Sequence, residues 1–168
     1  MFSPTSLNFA LGMIAEGAKG ETKEVLCNYL GTDDFASYAK EYLNKIKEYN
    51  TEDESYGYKS KLKIADAVWV DNNLTLQEEF KNSVTNGFGA EVENVDFSAA
   101  EKTCGIINSW CDKNTEGLIP KIITPDLIND TTGLCLTNSL YFESGWSGEP
   151  WNVSDTEEKL ETMKRQNT

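Results

Sequence analysis

Hydrophobic positions near the start of the chain recur at helical spacing: Leu7, Ala10, Leu11 and Ile14. Ser3 and Pro4 stand just before them as an N-cap and a proline at the first helical position, and Gly17 closes the segment. This helix is apolar over most of its circumference, so it is expected to be buried. For Ser3 simple capping is the plain role, and for Ser6, one turn inside, a bond back to the preceding turn. A second helix is predicted over 21–30, ended by Gly31, with Val25, Leu26 and Leu30 inward. Asp33 or Asp34 caps a third, in which Phe35, Tyr38, Tyr42, Ile46 and Tyr49 form one stripe. Lys40, Lys45 and Lys47 lie among Glu41 and Glu48 on its solvated remainder. Residues 51–58, with Glu52, Asp53 and Glu54 together, read as an exposed acidic loop.

From Leu62 the period changes. LKIADAVWV, Leu62–Val70, has the β-branched and aromatic content of a buried strand. Thr75 to Glu78, TLQE, reads as a capping box for a helix carrying Phe80, Val84 and Phe88, stopped by Gly87 and Gly89. Glu91–Phe97 alternates as a short edge-like strand, and Ser98 to Glu101 is a second capping box. It opens a helix over 98–114 with Ile106, Ile107 and Trp110 in its stripe, ended by Gly117. A connection of about 15 residues, Leu118–Thr132, then leads to GLCLTNSLYFESGW, Gly133–Trp146. Alternation there sets Leu134, Leu136, Asn138, Leu140 and Phe142 on one face and Cys135, Thr137, Ser139 and Tyr141 on the other. Neither face suits water, which predicts a central strand covered on both sides and wanting a neighbour that this chain does not supply. Asn138 is the anomaly. An amide between leucines either finds partners or costs about 1–3 kcal/mol, so it is a satisfied core amide or a polar latch in a sheet that opens. Beyond Trp146 no convincing apolar face recurs.

Composition narrows the chemistry. Of 168 residues, 15 are Lys or Arg and 28 Asp or Glu, a net charge of −13. Such a chain repels phosphate backbones and anionic lipid, so neither nucleic acid nor a membrane is an expected partner. It has no histidine, which excludes Ser-His-Asp and Cys-His catalysis and histidine metal ligation within this chain. Cys27, Cys104, Cys111 and Cys135 form no CxxC pair and read as small buried apolar residues, Cys104 and Cys111 on one helix face. Hence no enzyme, no cofactor and no metal are expected. The opening MFSPTS already sits inside a structured element, as a truncated start would, and localisation stays open.

Five segments occur together in order: FSPTSLNFALGMIAEGAKGETKEVL, LKIADAVWVDNNLTLQEEF, GFGAEVENVDF, INSWCDKNTEGLIPKII and LTNSLYFESGW. In their sequences, order and spacing, residues 2–151 resemble the serpins, over roughly the first half of that family's domain less its first helix. The resemblance implies an α+β fold, helices packed on part of a large mixed β-sheet, with 1–168 as a partial serpin domain and no second domain. It implies that Ser3, Ser6 and Asn138 belong to the shutter beneath the sheet, and Trp146 to the breach where the sheet first opens. Helix 98–114 and its return loop would lie across the sheet and move aside. It further implies inhibition of a target protease, serine-type first and cysteine-type second: a cleaved reactive loop inserts as a new strand beside 133–146.

The reactive loop and its scissile bond are absent from the chain, so by this reading the chain alone does not inhibit. The alternatives are a non-inhibitory serpin, serving as carrier, chaperone or storage protein, and a truncated inactive remnant. Glu143-Ser144 stands where the family usually has Lys-Gly, and Asp66 where an Asn is common. With a sheet edge unpaired, the fragment is expected to oligomerise or to need a complementary fragment.

Overall fold

The computed structural model describes residues 3–50 and 60–144; the acidic stretch 51–58, Trp146 and the tail lie outside these, as does the side chain of Tyr49. The elements run α1 (Pro4–Gly17), α2 (Gly20–Leu30), α3 (Phe35–Tyr49), β1 (Ser60–Asp71), α4 (Glu78–Phe88), β2 (Glu91–Val95), α5 (Ala100–Asn114) and β3 (Leu134–Ser144). The strands make one mixed sheet in the order β2-β1-β3, with β1 parallel to β2 and antiparallel to β3. This is the α+β arrangement expected.

The sheet buries two different faces. On one, Val68 and Val70 of β1 meet Phe9 and Met13 of α1, Phe35 of α3 and Phe88 of α4. Phe9 stands edge-on to Phe35 and to Phe88, with ring centroids 6.1 and 5.9 Å apart, a geometry worth about 0.5–1.5 kcal/mol per pair beyond area burial. On the other, Ala67 and Trp69 meet Phe97, Cys104, Ile107 and Trp110. Trp69 donates its indole N–H to Thr137 Oγ1 at 3.0 Å, so the largest buried side chain carries no unpaired donor. At the far end of β1, Asn50 extends the ladder: its amide donates to the Leu62 carbonyl at 3.0 Å and accepts from the Leu62 N–H at 2.7 Å.

Several expectations are corrected. The strand predicted as central, 133–146, is an edge strand among the described residues, and β1 is central. Its alternation holds, and helices lie against both faces, α1 on the Leu136 side and α5 on the Thr137 side, but the cover on the Leu136 side does not reach the ends of the strand. The small polar residues Thr137 and Ser139 are buried beneath α5, whereas Leu134 and Phe142 are 41% and 65% exposed. Period alone could not rank the faces, because short polar side chains suit a close helix as well as apolar ones do. Likewise α1 is not buried all round: Leu7 and Ile14 are exposed, and the inward face is Phe9, Gly12, Met13 and Ala15. No residue of α2 is buried and Val25 is 60% exposed, because α2 packs chiefly on α1 rather than on the sheet. In α3, Asp34 is the cap, accepting from Ser37 N, while Tyr38 of the predicted stripe faces out.

Neither capping box forms. α4 begins at Glu78 with Gln77 as its uncapped N-cap, two residues later than a Thr75 cap requires. At α5 the hydroxyl and N–H of Ser98 both donate to Asp96 Oδ1, so Ser98 is spent on a turn before the helix. That turn holds Ser98 ahead of the helix, which starts at Ala100 with Ala99 as its N-cap.

Candidate functional site

The site is the centre of the sheet with what lies on it. The antiparallel register of β1 and β3 sets Val68 opposite Leu136, Asp66 opposite Asn138 and Ile64 opposite Leu140. Directly opposed residues share a sheet face, so one polar pair sits within an apolar row. Asn138 Nδ2 donates to Asp66 Oδ1 at 2.8 Å. Asp66 is 1% exposed, and burial pushes its carboxyl up to about 7, with the Asn138 amide acting in the opposite direction. The remaining oxygens, Asp66 Oδ2 and Asn138 Oδ1, are buried and have no hydrogen-bond partner among the described residues.

The helix that faces this row is α1. Ser3 is its N-cap, its hydroxyl oxygen accepting from Ser6 N at 3.2 Å. Ser6, Phe9 and Met13 lie at i, i+3, i+7, on the face turned to the sheet. Met13 shares an open apolar groove with Leu134 and Leu136. From there Ser6 is about 10 Å back along the helix, and Asn138 is about 7 Å along the strand from Leu136. No hydrogen bond joins either serine to Asn138 among the described residues; α1 and β3 are in contact, and these three residues stand on facing elements. Trp146, the fourth expected site residue, lies outside the described residues.

Across the other face lies α5, and the chain after it is strapped down by side chains. Thr115 accepts from Ile119 N at 3.0 Å while its hydroxyl donates to the Cys111 carbonyl. Asn108 binds the strap at its middle: Nδ2 donates to the Ile123 carbonyl at 2.9 Å, and Oδ1 accepts from Ile122 N and Ile123 N at 2.8 and 3.1 Å. Ile128, 5% exposed, anchors the far end in the α5 core. Where β1 and β3 run out, Lys61 bridges to Glu116 at 2.7 Å and lies 5.4 Å from the centre of the Tyr141 ring. The Tyr141 hydroxyl donates to Glu143 at 2.7 Å, which holds that carboxylate within this cluster.

Sequence reasoning missed three participants. Asp66 was visible only as an unusual residue on a buried strand, because its pairing with Asn138 depends on a register that the two strands do not encode separately. Asn108 and Thr115 look like ordinary polar helix positions; the signal was the long connection, which needs partners for its backbone. No group of three or more His, Cys, Asp or Glu side chains among the described residues is placed to hold a metal ion.

The comparisons agree with this geometry. Residues 1–167 match the family model described as Serpin (serine protease inhibitor). The chain is 34% identical over 158 residues to Serpin-ZXA of Oryza sativa subsp. japonica, covering 94% of this chain and 40% of that protein. With human neuroserpin it shares 32% over 154 residues, covering 89% and 36%. Arabidopsis AtSerpin1 in its native stressed conformation superposes with a TM-score of 0.71 at 29% identity, over 84% of this chain and 36% of that one. Emu ovalbumin superposes over 92% of this chain and 43% of its own with a TM-score of 0.78; at 21% identity it speaks for the fold alone. The chain spans about 40% of the length of the curated relatives it matches.

Proposed function

Because this chain belongs to the serpin family, we propose that the protein is a protease inhibitor that traps its target by a change of fold. The family description, serine protease inhibitor, supports a protease as the class of partner and inhibition as the role. The attacked protease supplies the nucleophile. Its acyl link holds it to the cleaved loop while that loop inserts as a strand beside β3. New ladder bonds and buried side chains drive the insertion.

The observation that carries this reading is β3 itself. It is a long strand paired on one edge only among the described residues, lying beneath a helix whose return connection is tied by side chains. In this reading residues 1–168 are part of a single serpin domain. Ser3, Ser6 and Asn138 form the closure beneath the sheet, and Trp146 marks the end from which it opens. Serine-type proteases are the first expected targets and cysteine-type the second. Incubation of the full-length protein with trypsin-like, chymotrypsin-like and papain-like proteases tests it. An SDS-resistant complex with one of them supports the trap, and cleavage without any complex points to a carrier, chaperone or storage role.

A further inference from the structure

Among the described residues the hydrogen bonds of Asp66 and Asn138 do not close, and a proton on Asp66 would close them. An ionised carboxylate only accepts, and an amide brings one accepting oxygen and one NH2 group. The structure uses one N–H, to Asp66 Oδ1, and leaves two buried acceptors, Asp66 Oδ2 and Asn138 Oδ1, on the same opposed pair. Two acceptors cannot satisfy each other. A single hydrogen on Oδ2 satisfies both, since it donates to Asn138 Oδ1 and closes a cyclic acid–amide pair.

We propose that Asp66 is protonated in the closed sheet, and that its proton is a pH-sensitive latch joining β1 to β3 through Asn138. The surroundings favour the neutral acid. On the same sheet face Asp66 has Ile64 and Val68 on β1 and Leu136 and Leu140 on β3. The helices packed there present Phe9 and Met13 from α1, Phe35, Ala39 and Tyr42 from α3, and Val84 and Phe88 from α4. Of these side chains none carries a charge, Tyr42 being a neutral phenol by its chemistry. Ser3 and Ser6 are uncharged. The carboxylate Glu16, at the far end of α1, accepts from Ser83, and Glu41 pairs with Lys45 on the exposed side of α3. Among the described residues, burial and the Asn138 amide act on the carboxyl, and burial, the larger, raises it.

The sign follows from linkage. Below the ordinary aspartate range the acid is neutral folded or unfolded, and the pair contributes fully. As pH rises from about 4 to about 7, the unfolded chain releases the proton while the folded chain holds it, and the contribution is lost steadily. Above about 7 the folded carboxyl ionises too, two acceptors face each other, and no further change is expected. This concerns the closed sheet and stands whether or not the protein inhibits a protease.

The test is carboxyl-carbon NMR on the full chain, with the Asp66 signal identified by its loss in Asp66→Asn. A titration midpoint near 7 is expected; a midpoint below about 5, where ordinary carboxylates titrate, overturns the latch. Amide exchange in β1 and β3, corrected for intrinsic rates, is the second readout. The wild-type opening constant should rise by up to about tenfold per pH unit between about pH 5 and 6.5. That rise should be absent in Asp66→Asn, whose amide can pair reciprocally with Asn138 at any pH. Equal slopes in the two proteins overturn the latch, and the wild-type titration decides by itself if the variant does not fold.

Discussion

Replacing Asn108 by alanine should release the strap after α5 while leaving the sheet intact. The side chain makes three hydrogen bonds to the strap backbone, at 2.8, 2.9 and 3.1 Å. Each contributes about 0.5–1.5 kcal/mol net, and a buried group left unpaired costs more than an exposed one. Ile122 N is on the exposed side, where water replaces its lost partner, while the two Ile123 bonds are partly buried. The expected loss is therefore about 2 kcal/mol, roughly a thirtyfold increase in local opening. Ile128 remains inserted in the α5 core, so the strap should loosen at its middle and stay attached at its end. Native-state amide exchange reads this directly. Ile122 and Ile123 should lose protection, while Val68 and Leu136 keep theirs except for a shift matching the global change. Asn108→Asp keeps the acceptor for both N–H groups and loses only the bond to the Ile123 carbonyl, so it should fall between wild type and alanine. Unchanged exchange at Ile122 and Ile123 in Asn108→Ala would refute the clasp and assign the strap's position to Ile128 and Thr115.

Two further outcomes are expected. Gly87→Ala would set its new methyl 2.7 Å from Ala36 Cβ and 2.9 Å from Ala36 Cα, so α3 and α4 must separate. Overpacking of this kind costs about 1–3 kcal/mol against a helix-propensity gain of up to about 1, and urea denaturation should show a net loss. Expressed by itself, the 168-residue chain should self-associate through the edge of β3 that is unpaired among the described residues, unless complementary strands are supplied; a monodisperse, cooperatively melting monomer by light scattering would count against that.

Where the chain signals its fold, it does so through elements with a strong period. The i, i+4, i+8 row Phe80, Val84, Phe88 became an inward helix face, and LKIADAVWV became the buried heart of β1. What failed was local chemistry with a nearby competitor. Ser98 looked like a cap until Asp96 claimed it, and Val25 looked inward until α2 was seen to pack away from the sheet. Partnership across the sheet was the least legible. Asn138 stood out as a polar residue in an apolar row, and Asp66 as an odd residue in another, but only the register made them one unit. Ser3 was legible as a cap, which it forms by accepting from Ser6 N; the placement of Ser3 and Ser6 opposite β3 required the packing of the helix on the sheet.

The central claim is that β3 is the receiving strand of a protease trap. The most direct measurement follows the full-length protein with a trypsin-like protease by denaturing electrophoresis, together with its thermal stability before and after loop cleavage. Strand insertion predicts an SDS-resistant complex and a large rise in melting temperature of the cleaved protein, because the inserted loop adds a strand and its ladder of backbone bonds to the sheet. Cleavage with neither a complex nor a gain in stability would contradict it.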